Sequence, residues 1–395
     1  MVNFYIAAFL ADLAIGAVLL AIPLFLIYRF AASSLLLGIL GAVGALVYSA
    51  GVIIVGRMAD RFSRRKIILF GCGMFAVAYS VLPFLKTTNQ ILLAYAFGSA
   101  SMAMFWPTLQ SWLSQGLDKP SLMRSLTIFN ISWSAGLMVG FFSAGFLFAL
   151  GQEVPFAFGV ILIVITMLFL YRQPPAPRVK AVTKLFSDGV NKNAAGSPMA
   201  GIGEDKPANY ISFLYIAWCA NFVSWFNLGV MRNLFPKLGT ELGFSTALVG
   251  TLIFIITFAQ TVMFFVLGRT HRWHYKLGLI LLFQFIAFLS LWIFVFSSCA
   301  VHFAIAMIFL GLSAGLTYFS SIFYSLYGSV DKGRKSGLHE AVIGTGAFFG
   351  PFAGGLFAAK FGIRAPYLVA AVVVAAAMLL EIALIGGMHK KTLKP

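Results

Sequence analysis

Charge is what this sequence has least of. Asp, Glu, Lys and Arg make up 10% of its 395 residues, and none of them occurs between Lys276 and Asp331. A chain that is 61% hydrophobic with so few charges cannot solvate the surface of a soluble domain, which leaves a polytopic membrane protein. Cysteine is nearly absent as well. Cys72, Cys219 and Cys299 stand singly inside apolar runs, without metal-ligand spacing, and read as small buried hydrophobes. No G-x-x-x-x-G-K-[ST] and no H-E-x-x-H occurs, so ATP-driven transport by this chain and zinc proteolysis have no support. Neither a cofactor nor a metal is expected. "GLSAG", Gly311 to Gly315, fits the G-x-S-x-G pattern but lies within an apolar helical run, where small residues serve packing. "NIS" at Asn130 is a glycosylation sequon by pattern only.

What the chain has in quantity is long apolar runs. Crossing the hydrocarbon core takes about 20 apolar residues per helix. Twelve runs fit: 4–29, 36–56, 67–86, 90–115, 124–150, 154–172, 209–235, 246–268, 275–297, 300–328, 337–360 and 365–388. The break between the ninth and tenth rests only on "SSCAVH" and on length. The start, "MVNFYIAAFLADLAIG", has no basic n-region and continues for a full span, so it is expected to be a retained helix.

Basic residues set the orientation. With the N-terminus inside, 22 of the 28 Lys and Arg fall in cytoplasmic loops and the C-terminal tail. Both termini are therefore expected in the cytoplasm of a multi-pass protein of the cell (inner) membrane. The net charge of +17 follows from this bias and from attraction to anionic lipid, so membrane lipid is an expected partner and nucleic acid is not.

A Pro-, Gly- and Ser-rich connection, 173–208, separates a bundle at 1–172 from a second at 209–395. Val179, Val182, Phe186 and Val190 beside lysines suggest a short amphipathic helix there. The halves repeat. At an offset of about 212 Gly38 pairs with Gly250 and Gly56-Arg57 with Gly268-Arg269, while at 210 Arg124 pairs with Arg334, Gly140 with Gly350 and Gly145 with Gly355. Parallel six-span repeats imply an all-α fold of two six-helix bundles, a pseudo-two-fold axis along the membrane normal, and a site between the bundles.

Six charges crowd between Arg57 and Lys66. Gly56, Asp60, Arg61, Arg64 and Arg65 follow G-x-x-x-D-R-x-G-R-R/K, with Ser63 in place of the usual Gly. In this the chain resembles transporters of the major facilitator superfamily, which carry the signature after the second span. The resemblance implies alternating access between two rocking bundles, and an Asp60 that caps the start of the eleventh helix near Ser336 to Leu338. Such a contact is a conformational latch favouring the outward-facing state, since a carboxylate is stabilised at a helix N-terminus. A basic loop that fixes topology accounts for Arg64, Arg65 and Lys66 but not for Gly56 and Asp60. The repeat places Arg272 where a second Asp60 would stand, so the latch is expected on one side only. A second superfamily motif, G-x-x-x-G-P-x-x-G-G, reads "GAFFGPFAGG" from Gly346 to Gly355. In antiporters of the superfamily it sits on the fifth helix, and here it is on the eleventh, where close helix packing is the plainer reading.

Ionisable groups within spans are costly and are functional candidates by default. Asp12 lies two turns into the first span, where protonation would relieve its desolvation; it is a proton-coupling candidate, against a structural hydrogen bond. His339 and Glu340 are further candidates, Glu340 being equally suited to pair with Arg57 or Arg61 in the latch. Arg232 either attracts an anionic substrate or snorkels to the outer interface. Glu381 reads as structural. The resemblance assigns the cavity to helices 1, 4, 7 and 10, which offer Trp106 and Gln110, then Asn221, Trp225 and Asn227, then Tyr318 and Tyr324. Aromatic walls with sparse amides suit a small neutral or amphipathic organic solute, although aromatic residues at helical spacing also serve packing. The expectation is a monomeric, proton-coupled secondary transporter, with export of amphipathic compounds ahead of uptake of a sugar or organic acid. The alternative is a transporter-like receptor or assembly protein without net transport.

Overall fold

The computed structural model describes residues 2–58, 62–113, 119–173, 210–270, 272–326 and 332–392. Among these, twelve helices are long and apolar enough to cross a membrane. They are α1 (Val2–Phe30), α2 (Ser34–Met58), α3 (Arg64–Val81), α4 (Thr88–Leu113), α5 (Lys119–Leu150), α6 (Val154–Tyr171), α7 (Tyr210–Glu241), α8 (Thr246–Leu267), α9 (Leu277–Phe296), α10 (Ala300–Leu326), α11 (Lys332–Phe361) and α12 (Ala365–Thr392). Helices are what hydrocarbon permits, because each backbone amide finds its partner within its own segment.

The boundaries differ from the hydropathy reading where polar chemistry intervenes. α5 and α11 begin five residues early, at Lys119 and Lys332, since a helix continues beyond hydrocarbon wherever its side chains are solvated. α7 runs through Pro236 to Glu241. Pro236 removes one backbone bond, but the following turn is held by Thr240 Oγ1 donating to the Lys237 carbonyl at 2.9 Å and by the Lys237–Glu241 ion pair at 3.5 Å. The uncertain break between α9 and α10 is real. Ser297 Oγ accepts the Cys299 N–H at 3.1 Å, and Arg364 Nη1 donates to the carbonyls of Phe294, Val295 and Ser297 at 3.0, 2.9 and 2.6 Å.

The two six-helix halves, α1–α6 and α7–α12, meet along α2 with α11 and α5 with α8. Their contacts are tightest at the distal end, away from the termini. A methyl group built on Gly38 would stand 2.7 Å from Gly355 Cα, and one on Gly250 would stand 3.0 Å from Gly145 Cα. These are the glycines that the repeat equates, so one seam is built twice, related by the pseudo-two-fold axis. Gly355 belongs to the motif on α11, and a methyl group on Gly346 of the same motif would stand 2.6 Å from the Phe222 carbonyl of α7. At this place the motif supplies close packing. Thr246 Oγ1 donates to the Gly145 carbonyl at 2.9 Å across one seam. At mid-depth Ser134 Oγ meets Thr261 Oγ1. In the other half of the depth Gln110 and Glu340 are exposed on spanning helices, which polar side chains tolerate only when they face water rather than lipid.

One distal contact has no symmetry mate among the described residues. Lys237 Nζ donates to the Ala32 carbonyl of the other half at 2.8 Å, while Ala32 N–H closes onto Leu26 and Ala31 sits at φ 46°. A charge-assisted bond of this kind contributes about 1.5–3 kcal/mol. Lys237→Met is therefore expected to raise thiol labelling of an Ala32→Cys protein relative to the Lys237 background; equal labelling would mean that this bond does not hold the distal end closed.

Candidate functional site

Seven helices bring ionisable and aromatic side chains to the centre between the halves. Asp12 is buried on α1, and Arg232 of α7 interacts electrostatically with it and with Tyr95 of α4. The guanidinium lies 5.5 Å from the ring centres of both Phe141 on α5 and Trp225 on α7. Trp225 in turn faces Tyr318 of α10 at 6.4 Å. Tyr48 of α2 feels Glu340, Asp12 and Tyr318, and Tyr318 feels Glu340. Asp12 and Arg232 come from opposite halves and attract through space, without the close contact made by Lys237 and Glu241.

This placement corrects the outer-interface reading of Arg232. Its head is held inside by two aromatic faces, each worth about 0.5–2 kcal/mol as a cation–π contact. Glu340 is exposed, and the residue before it, His339, is buried. His339 faces the other way, into the second half. Its Nδ1 shares a hydrogen with Ser321 Oγ at 2.7 Å, Tyr318 lies edge-on at 5.2 Å, and Nε2 has no partner.

Other candidates fall elsewhere. Tyr324 is corrected from cavity to core. Its carbonyl accepts from Tyr210 OH at 2.6 Å, its hydroxyl accepts the Tyr275 N–H at 2.7 Å, and it packs with Phe213 and Trp273. Asn227 is likewise corrected, since it lines a cavity of about 10 Å³ with Ser224, Met231, Leu310 and Ser313 inside the second half, room for one water beside its unpartnered Oδ1. Asn221 is fully buried with both amide atoms unpartnered, not open to the centre. Trp106 packs between Phe105 and Phe129 at 5.1 and 6.0 Å, and Gln110 is exposed on the same helix. Glu381 accepts from Gln284 Nε2 at 2.8 Å, in line with a structural role.

The latch residues Asp60 and Arg61, and the linker from residue 174 on with its amphipathic stretch, lie outside the described residues. Gly56 belongs to the last turns of α2, and Arg64 opens α3. Arg65 Nη1 donates to the Gln173 carbonyl at 3.3 Å, and the guanidinium lies 4.5 Å from the Tyr171 ring centre. It ties α3 to the end of α6 within one half. Sequence reasoning missed Tyr48, Tyr95 and Phe141. A signal existed for Tyr48: at the repeat offset it pairs with Gln260, and both are polar breaks in apolar helices.

Twelve helices in two pseudo-symmetric halves around a charged central site define an architecture, and the sequence carries its family's mark throughout. The profile of the Major Facilitator Superfamily matches residues 4–326 and 217–394. The chain belongs to that superfamily. It is thus a membrane transporter for small molecules, not an enzyme. Among Major Facilitator relatives, Multidrug resistance protein 1 of Bacillus subtilis (strain 168) is 25% identical over 357 residues, covering 86% of this chain and 84% of that protein. The nucleoside transporter NupG superposes with a TM-score of 0.73 at 15% identity, covering 97% of this chain and 99% of that one. The D-xylose-proton symporter does so with a TM-score of 0.71 at 13% identity, covering 96% of each. These two likenesses establish the shared fold.

Proposed function

We propose that this transporter exports amphipathic organic solutes in exchange for protons, with both termini cytoplasmic and the joined distal end external. The observation that carries the reading is Asp12 and Arg232, supplied by opposite halves and attracting each other through space at the centre beside an aromatic wall. A proton on Asp12 removes the attraction that Arg232 exerts on it, which weakens one tie between the halves. The proton thus biases the rocking equilibrium that moves substrate. Trp225, Tyr318 and Tyr48 offer apolar faces, and Glu340 at their edge offers a carboxylate for a cationic head. Glu340 then receives the cationic head while Asp12 receives the proton that biases the rocking. The name of the Bacillus relative supports export. With this sidedness Gln110 and Glu340 face cytoplasmic water, and the conformation is inward-facing. The Asp60 latch belongs to the alternate state.

A second reading rests on Arg232. If a solute anion takes the place of a protonated Asp12, proton and anion bind together and the result is uptake of an organic acid. Reconstitution into proteoliposomes with an imposed pH gradient separates the two. Efflux of lipophilic cations coupled to counterflowing protons, reduced by Glu340→Gln, is the expected outcome. Accumulation of carboxylates with protons would instead select the uptake reading, and no movement across a broad panel of both would leave neither standing.

A further inference from the structure

The α9–α10 turn forms a second ligand-shaped feature, on the outside of the second half at the distal end. A groove of about 560 Å³ opens there, with Leu289, Trp292 and Phe296 along its length and Ser297, Ser298 and His302 at its mouth. Leu289 and Phe296 are exposed, and the Trp292 and Phe296 rings stack at 5.6 Å with 10° between their planes. Exposed apolar side chains on a spanning helix face hydrocarbon, so the trough is an acyl-chain surface.

The mouth has the opposite character. Arg364 Nη2 donates to Ser298 Oγ at 2.9 Å, which leaves the Ser298 hydroxyl hydrogen free to donate outward. Ser297 Oγ accepts the Cys299 N–H and shares a hydrogen with His302 Nδ1 at 2.9 Å; in the tautomer where Ser297 donates, the exposed His302 Nε2 carries the ring hydrogen and donates outward. No acid lies anywhere from Leu277 to Val330, and Glu241 of α7, which like Arg364 acts on Tyr367, is paired with Lys237 at 3.5 Å. Two free donors beside a guanidinium match the oxygens of a phosphate.

We propose that this groove is a binding site for an anionic phospholipid of the distal leaflet, with its phosphate at Ser298, His302 and Arg364 and one chain along Trp292 and Phe296. The occupant is a lipid rather than a free anion because donor mouth and aromatic trough are continuous. α10 runs from this mouth to Tyr318 at the centre, about 24 Å at 1.5 Å per residue, so the lipid buttresses the helix that carries part of the central site.

The test is native mass spectrometry of the full chain released from detergent containing phosphatidylglycerol or phosphatidylcholine. One phosphatidylglycerol is expected to be retained about tenfold more tightly than phosphatidylcholine, with the preference lost in a Ser298→Ala, His302→Leu double variant. His302→Leu alone, at an exposed position, gives the same comparison should the double variant fail to fold. Equal retention of the two lipids, an unchanged preference in the variants, or displacement by millimolar inorganic phosphate would overturn the assignment.

Discussion

Transport driven by a pH gradient is expected to fall about 5- to 150-fold in Asp12→Asn, the range given by a coupling free energy of about 1–3 kcal/mol. The substitution keeps the shape of the side chain and removes only its ability to exchange a proton. Asp12 is buried on α1, and Arg232 reaches it from the other half. Its ionised form therefore ties the halves together and its protonated form does not. An asparagine is fixed in the untied condition, so the halves still rock but no longer in register with proton uptake. Exchange of substrate across the membrane without a gradient should persist, and uphill movement should fall by that factor. Both are read in the same proteoliposomes. If uphill movement survives undiminished, the proton is carried elsewhere, and Glu340 is the next carboxylate on the cavity side.

Arg232 separates coupling from stability in that experiment. Removing one member of a directly paired buried couple costs about 3–5 kcal/mol, because a charge is left unmatched in low dielectric. Asp12 and Arg232 interact through space, and two aromatic faces also hold the guanidinium, so the penalty falls below that range. Adding Arg232→Gln to Asp12→Asn restores charge balance. The double variant should recover the thermal midpoint of the parent while remaining uncoupled. Recovery of gradient-driven transport in the double variant would show that the lost charge balance, rather than the lost proton site, was responsible.

The spans were legible in the sequence because hydrocarbon imposes length and polarity together, and even the charge-free region from Leu277 to Val330 divides where two spans need it to. Helix ends beyond hydrocarbon were not, since Lys119 and Lys332 open helices that hydropathy cannot see. The facing of side chains was the weaker reading. α7 is buried on nearly every side, so no polar face marks which residues meet the centre. Trp225 and Asn227, two residues apart, differ by about 200° around the helix, and one meets Arg232 while the other lines a cavity within its own half. Arg232 follows Trp225 by seven residues, two turns on the same face. That spacing, read from the sequence, groups the arginine with the central aromatic wall instead of the outer interface.

Valine in place of Gly38 or Gly250 is expected to move the protein toward the state with its distal end apart, with transport reduced about 5- to 150-fold on the same scale of coupling energy. At Gly38 a Cβ would stand 2.5 Å from the Pro351 carbonyl oxygen, and at Gly250 2.8 Å from the Phe141 carbonyl oxygen. Both obstacles are backbone, which cannot rotate aside as a side chain can, so the opposing helix itself must retreat. Overpacking of this kind costs about 1–3 kcal/mol where it occurs within one rigid core. Here the strain has an exit, because the two halves already possess a conformation in which these surfaces part. The strain is released by population shift rather than by unfolding. Spin labels on the α1–α2 and α11–α12 turns should therefore report a longer distance in Gly38→Val with little change in thermal midpoint. Gly73 and Gly278, which have nothing within 4 Å of a Cβ, supply controls in which valine changes neither quantity. Because the repeat relates Gly38 to Gly250, the two seam variants should behave alike, even though one strains α2 against α11 and the other α5 against α8. A distance that lengthens in one variant only would mean that the halves do not pivot about the pseudo-two-fold axis that relates their glycines.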